Sequence, residues 1–330
     1  MLIEDVSQIS KEWLRFVLDS NEEIKKITTV PFSSANATNA IIHLEYEKSL
    51  PRSLFLKICK NNGVFVNSSE CNYYTKDYKN LVNTPIPLCY NAHYTNKGYH
   101  LLLEDLSATH YDNKNVEPTE CHTKELAKAL ACLHAFHWQE NKFKLQMDNY
   151  FSKVRQGLPA ILATTSLAQK DKDFCCRVLQ EIPQMMRSRL QDNNGFTMIH
   201  GDVNPSNVLS PRQKDGKTYI IDRQPFLWSL TYSLGVHDLA YAIILYWDCE
   251  KRRQLEKIAL KAYHAQLQKS GISNYSWEKC ILDYVLSISL TLCVGISWGL
   301  YENSFTKMQW LWEKQLRRSL QALQDWQNYQ

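Results

Sequence analysis

Residues 198–209 read MIHGDVNPSNVL, and residues 219–226 read YIIDRQPF. Gly201, Pro205 and the Asn and Ser residues around them break helix and strand patterns alike, so the first stretch is a loop carrying Asp202 and Asn207. In the second, a β-branched and aromatic run ends at Asp222, which predicts a buried strand with a carboxylate at its end. Mg²⁺ takes oxygen ligands, keeps several waters and is usually held by one or two protein groups together with phosphates. Phosphoryl transfer asks the protein for a carboxylate near the attacking hydroxyl, metal ligands and positive charge on the phosphates. Asp202 suits the first role; Asn207 and Asp222 suit the second.

The HGDxxxxN loop and the IDxQ that follows resemble the signature of the aminoglycoside phosphotransferase and choline kinase-like superfamily, relatives of the protein kinases. LGVHDLAYAI (residues 234–243) is similar to the family's segment in which an aspartate on a helix braces the catalytic loop, and Asp238 matches it. ALACLHAFHW (129–138) resembles the family's LAxLHAxxW helix. The IDRQ variant looks most like the bacterial and ecdysteroid kinase-like branches. The resemblance implies a bilobal protein kinase-like fold of the α+β class, with a small mixed β-sheet N-lobe and a large, mainly helical C-lobe. It also implies ATP and Mg²⁺ as cofactors, Asp202 as the catalytic carboxylate, and His200 with Asp238 as structural support of the loop.

The same resemblance requires, upstream and in order, a strand lysine, a helical glutamate and an apolar strand leading to a hinge. PRSLFLKIC (51–59) alternates so that Lys57 faces away from Leu54, Leu56 and Ile58. Glu70 follows in SSECNYYTKDY, where Ser68 or Ser69 is expected to cap a helix. YHLLLEDLS (99–107) is an apolar strand expected to present backbone groups of Glu104 and Leu106 to an adenine edge. A lone strand lysine or helix glutamate is ordinarily solvated; their order relative to the later loop is what singles them out. His134 and His137 lie three apart on a helix, but no zincin pattern or third ligand accompanies them, so packing roles are expected.

One departure from the protein kinases stands out: residues 1–62 contain no glycine, so there is no glycine-rich phosphate loop. Ser33, Ser34, Asn36 and Thr38 stand in its place and can donate hydrogen bonds to phosphate oxygens, or can belong to a plain hairpin turn. No Walker A pattern occurs.

At 330 residues the chain exceeds a usual single core, and we expect lobes at 1–103 and 104–330. A formal net charge of +4, dispersed along the chain, gives no basic stripe for a nucleic-acid partner. The ten cysteines show no CxxC spacing, and with no cationic apolar start this points to a reducing, cytoplasmic setting. Residues 284–301 run without a charge, near the lower limit for a membrane span. Their hydroxyls and the flanking Asp283 and Glu302 favour a buried helix of the larger lobe, with no membrane partner.

Helical periodicity predicts helices at 10–19 (capped by Ser10), 122–140, 149–166, 170–191, 236–249, 251–270, 276–301 and 305–328. Strands are expected near 26–31, 39–47, 53–59, 88–94 and 99–104, with a short hairpin within 196–222. The expected activity is transfer of a γ-phosphoryl group to a hydroxyl of a small metabolite, natural product or antibiotic. Residues 226–302 hold as many basic as acidic residues, which speaks against a polycationic acceptor, while Trp228, Tyr232, Tyr241, Trp247, Trp298 and Tyr301 are candidates for an aromatic pocket or for core. The alternatives are a catalytically silent pseudokinase that binds nucleotide as a regulator, disfavoured by the full set of polar residues, and a protein kinase. Against the latter, no APE-like motif lies between Asp222 and Asp238.

Overall fold

A computed structural model describes all residues except 35, 48–49, 62–66, 215, 224–228 and 328–330, together with the side chains of 302 and 327. It divides into two compact units, the first Met1–Tyr111 with Leu209–Gln224, the second Asp112–Val208 with Pro225–Gln330. The first unit thus runs past the expected 103/104 division and takes back the stretch that ends in IDRQ.

The first unit begins with α1 (Lys11–Val17), capped as expected by Ser10 Oγ, which accepts from Trp13 N at 3.1 Å. Strands β1 (Lys26–Ser33), β2 (Thr38–Glu45), β3 (Ser53–Lys60), β4 (Cys89–Thr95) and β5 (Gly98–Glu104) form an antiparallel sheet in the order β1-β2-β3-β5-β4. Alternation along β3 decides what each face does. Leu54, Leu56 and Ile58 join Leu14, Ala40 and Ile42 in one apolar cluster. On the other face Cys59, Tyr99, Leu101 and Leu103 pack with Cys71. Lys57 lies opposite Leu101 in the β3–β5 register, and so projects onto this second face.

Between β3 and β4 comes α2 (Ser69–Asn72), which continues without a break into a π-helical turn over Tyr73–Asp77. Neither Ser68 nor Ser69 caps it. Ser68 already has near-helical backbone angles (φ −78°, ψ −1°) and makes no side-chain cap bond. The Asn67 carboxamide does the work one residue earlier, accepting from Ser69 N at 2.8 Å.

The remaining strands are short: β6 (His110–Asp112), β7 (Phe196–Met198), β8 (Val208–Pro211), β9 (Tyr219–Ile220) and β10 (Tyr232–Leu234). The expected hairpin within 196–222 is formed by β8 and β9, consecutive strands that are hydrogen-bonded neighbours. β7 and β10 are buried throughout and pair with each other, whereas the half-buried β8 joins β6 and β9.

The second unit is helical: α3 (Glu120–Phe136), α4 (Phe143–Ala163), α5 (Gln169–Arg189), α6 (Val236–Tyr246), α7 (Cys249–Lys269), α8 (Trp277–Ser297), α9 (Glu302–Lys307) and α10 (Gln309–Gln327). α4 starts earlier than expected, at Phe143, and the expected helix at 305–328 is two helices. α6 is apolar on nearly every side and almost wholly buried, so it lies in the core of this unit. The uncharged stretch begins within α8 and runs into its continuation to Leu300, a helix with 78% of its apolar window buried inside the protein. Its polar groups are met there: Asp283 accepts from Arg189 Nε at 2.6 Å, and Thr291 shares a 3.0 Å bond with Ser319.

Candidate active site

The sequence-predicted residues fall into two constellations, one in each unit. In the first unit, Lys57 Nζ lies 2.8 and 2.9 Å from the two carboxylate oxygens of Glu70 and 2.8 Å from Asp222 Oδ1. Glu70 is 1% exposed and Asp222 41%, so the trio has a closed end and an open end. Tyr99, fully buried on β5, donates its hydroxyl to Glu70 Oε2.

Burial penalises the Lys57 ammonium, but Glu70 and Asp222 outweigh it and hold the lysine protonated beyond its usual range. Burial pushes the Glu70 carboxyl up to about 7, with Lys57 and the Tyr99 phenol pulling the other way. Once both carboxyls are ionised, two negative charges face one positive, and the excess sits at the exposed Asp222. Its backbone is left-handed, φ +64°, unusual for a residue other than glycine though tolerated by Asp.

In the second unit, Asp202 sits in a loop whose shape is fixed by its neighbours. Gly201 has φ +80°, and a Cβ there would come within 2.2 Å of the Leu230 carbonyl, so only glycine fits. Pro205–Asn207 forms a 3₁₀ turn, with the Asn204 side chain accepting from Ser206 N at 2.9 Å. The side-chain amide of Asn204 donates to Asp202 Oδ1 at 3.1 Å, and the Tyr241 hydroxyl donates to the same oxygen at 2.9 Å. Asn207 Nδ2 donates to the Asp202 carbonyl at 2.9 Å, which commits the nitrogen end of that carboxamide to the loop.

Beneath the loop lies Asp238, fully buried on α6. It accepts from His200 N at 2.6 Å, from Gly201 N at 2.9 Å and from His134 Nε2 at 3.0 Å. Burial opposes its charge, yet His134, His200 and the Gly201 amide prevail and hold the carboxyl at about 2. An ionised carboxylate only accepts, so His134 Nε2 carries a proton, and its Nδ1 faces the Tyr263 hydroxyl at 2.9 Å. His134 is therefore a buried brace, whereas His137 bonds Glu140 at 3.0 Å away from this network.

Other expected residues land differently. Ser33 pairs with Thr38 in the β1–β2 hairpin, and Ser34 closes its turn by donating N–H (2.9 Å) and Oγ–H (3.3 Å) to the Ala37 carbonyl. The Glu104 N–H goes to Leu88 O at 2.9 Å, and the Leu106 carbonyl accepts from Thr109 N and His110 N. Those backbone atoms are thus spent on strand and turn. Tyr232, Tyr241 and Trp247 are buried, and Trp298 bonds Gln315 at 3.0 Å. Trp228 and Gln224 lie outside the described residues. Tyr74, Tyr99 and Asn204 were not anticipated.

A cavity of about 520 Å³ in the second unit is walled by Val203, Pro205 and Val208 of the loop region and by Ala242, Tyr246 and Trp247. Tyr246 packs on Tyr241, ring centroids 5.9 Å apart, and so connects the cavity wall to the partner of Asp202. Among the described residues no cluster of three or more His, Cys, Asp or Glu side chains is arranged to hold a metal. The Asp222 carboxylate in the first unit and the Asn207 carboxamide oxygen in the second are each hard oxygen groups of the type Mg²⁺ takes.

An antiparallel N-terminal sheet with a buried Lys–Glu pair, and a helical unit with an aspartate-braced HGD loop, define a kinase-like protein. Solved structures share the fold. The spectinomycin phosphotransferase structure with ADP and spectinomycin matches 95% of this chain and 98% of its own at 13% identity, with a TM-score of 0.54. An aminoglycoside phosphotransferase from Alicyclobacillus acidocaldarius matches 92% of this chain and 93% of its own at 14% identity, TM-score 0.51. Among curated proteins none matches in sequence. The chain belongs to the ecdysteroid kinase-like family, whose sequence profile matches residues 69–272.

Proposed function

We propose that this protein is an ATP-dependent small-molecule kinase that transfers the γ-phosphoryl group to an alcohol. The observation that carries the reading is Lys57 held between Glu70 and Asp222, an arrangement with no structural need for a second carboxylate. Lys57 would place positive charge on the nucleotide phosphates, and Glu70 would hold the lysine to that task. Asn207 and Asp222 would bind Mg²⁺, which when bound offsets the charge of the phosphate oxygens. Asp202, oriented by Tyr241 and Asn204, would align the acceptor hydroxyl and take its proton as the bond to the phosphoryl group forms. Ser33 and Ser34 keep a phosphate-facing role here only if the hairpin turn opens. An adenine edge would meet backbone groups of Glu104 and Leu106 other than the Glu104 N–H, which Leu88 O holds.

The cavity beside the loop supports a small acceptor, since its volume is that of pockets taking drug-sized molecules. The test is ADP release with a panel of hydroxylated small molecules, with and without Mg²⁺, in wild type, Asp202→Asn and Asp222→Ala. Asp202→Asn is expected to lower turnover by orders of magnitude with nucleotide binding nearly intact. Asp222→Ala is expected to lose the Mg²⁺-dependent part of binding. Equal loss of nucleotide affinity in both would contradict these roles, and phosphorylation of a protein but of no small alcohol would favour the protein kinase alternative.

A further inference from the structure

Glu70, Tyr73, Tyr74 and Asp77 are spaced i, i+3, i+4, i+7, which places them on one face of a helix. In the first unit every one of them is directed at the segment 220–223. The Tyr73 hydroxyl donates to the Ile220 carbonyl at 2.9 Å. The Tyr74 hydroxyl accepts from the Asp222 N–H at 3.2 Å. Asp77 lies 3.7 Å from the buried Arg223 guanidinium. Glu70 reaches the Asp222 side chain through Lys57. The two tyrosine rings brace each other edge to face at 5.1 Å.

Three features show that this is more than packing. The helix widens into a π turn at Tyr73–Asp77, a rare local geometry that is frequent at functional sites. Asp222, the residue gripped, has the left-handed backbone, a conformation that costs a non-glycine residue on the order of 1 kcal/mol unless its surroundings hold it. Both the N–H and the carboxylate of that residue are held by this one helical face, the carboxylate through Lys57.

We propose that Tyr73 and Tyr74 are positioning residues that hold Asp222 in its left-handed conformation, so that the Glu70 helix sets the direction of the metal-binding carboxylate. The inference rests on the kinase reading for the role of Asp222. It makes the Glu70 helix and the Asp222 segment one clamp: a shift of the helix moves the carboxylate, and binding at the carboxylate stiffens the helix. Tyr74→Phe keeps the ring and removes the acceptor of the Asp222 N–H; Tyr73→Phe removes the donor to Ile220.

The experiment is calorimetric titration of the full chain with ADP, in Mg²⁺ and in EDTA, together with a Mg²⁺ titration at fixed ADP. In Tyr74→Phe the apparent Mg²⁺ dissociation constant is expected to rise about tenfold, while ADP affinity in EDTA stays within about twofold of wild type, as for loss of a hydrogen bond worth roughly 1.4 kcal/mol. Tyr73→Phe is expected to shift the same constant in the same direction, and carries the test if Tyr74→Phe does not fold. Wild-type Mg²⁺ dependence in both variants would overturn the proposal, as would equal loss of ADP affinity with and without Mg²⁺, which marks general damage. A wild-type protein whose ADP affinity ignores Mg²⁺ would instead overturn the kinase reading, and the clamp's function with it.

Discussion

Tyr241 donates its phenolic hydrogen to Asp202 Oδ1 at 2.9 Å, from a position on α6 one turn after Asp238. The helix that braces the loop backbone therefore also aims the loop carboxylate. Burial pushes the Tyr241 phenol well above its usual range, so it remains a donor wherever the protein is folded. A hydrogen bond to a charged group contributes about 1.5–3 kcal/mol. If Asp202 orients the acceptor rather than the nucleotide, as proposed, Tyr241→Phe is expected to lower kcat by at least about tenfold and to leave the nucleotide KM nearly unchanged. A KM effect as large as the kcat effect in steady-state kinetics would count against that assignment.

The raised Glu70 carboxyl predicts a pH dependence with a definite sign. Its folded value of about 7 stands above the ordinary 4.5, so between these the native state holds a proton that the unfolded chain has released. The stability contributed by this group is therefore complete below the unfolded value and is lost as pH rises through the folded one. On the proposed kinase reading, activity would run the other way, with Glu70 positioning Lys57 as a carboxylate. The kcat/KM for nucleotide is expected to rise through about 7, and Glu70→Gln to abolish that limb. The Tyr99 bond lowers the Glu70 value, so Tyr99→Phe should move the limb to higher pH. An unmoved limb in Tyr99→Phe would assign the titration to another group.

The polar residues of the loop and strand motifs were legible because their chemistry depends on residue type at fixed spacing. The pairing of Lys57 with Glu70 was implied by the order that the resemblance to the kinase-like superfamily requires, with alternation giving only the face of Lys57, and the structure brings the two within hydrogen-bond distance. Tyr99 and Tyr241 were not legible in the same way. An aromatic on an apolar strand or helix reads as core, and both are core by burial; only the direction of the hydroxyl distinguishes them. The Glu70, Tyr73, Tyr74, Asp77 face did carry a signal in its spacing, hidden by the brevity of the helix and its π turn. The β7–β10 pairing was illegible because short, fully buried strands lack alternation, and a run of three residues does not name its partner.

Asp238 supplies a stability prediction. Its carboxyl, held at about 2 against an ordinary 3.8, contributes stability that is fully present above the unfolded value and is lost as pH falls through the folded one. Asp238→Asn sets an amide NH₂ against a site built from donors, the His200 and Gly201 N–H groups and His134 Nε2. The expected cost is about 3 kcal/mol. Urea denaturation at neutral pH measures it, and the gap between wild type and variant should narrow as the solution is acidified toward about 2. A gap that stays constant would mean the carboxylate is not the source of the loss.

The last prediction concerns how closely the helices of the second unit approach. Gly157 lies within α4 where a Cβ would stand 2.4 Å from the Ile296 carbonyl of α8, and a Cβ on Gly299 would stand 2.1 Å from the Gly157 carbonyl. Two effects compete in Gly157→Ala. Helix propensity favours alanine by about 1 kcal/mol in a helix interior. Against it, the obstacle is backbone rather than a flexible side chain, so α4 and α8 must separate, and overpacking of that kind typically costs about 1–3 kcal/mol, occasionally more. We expect the clash to win, with net destabilisation of about 1–2 kcal/mol in urea melts. A variant as stable as wild type would show that the two helices part without loss, and that contact between Gly157 and Ile296 does not set their spacing.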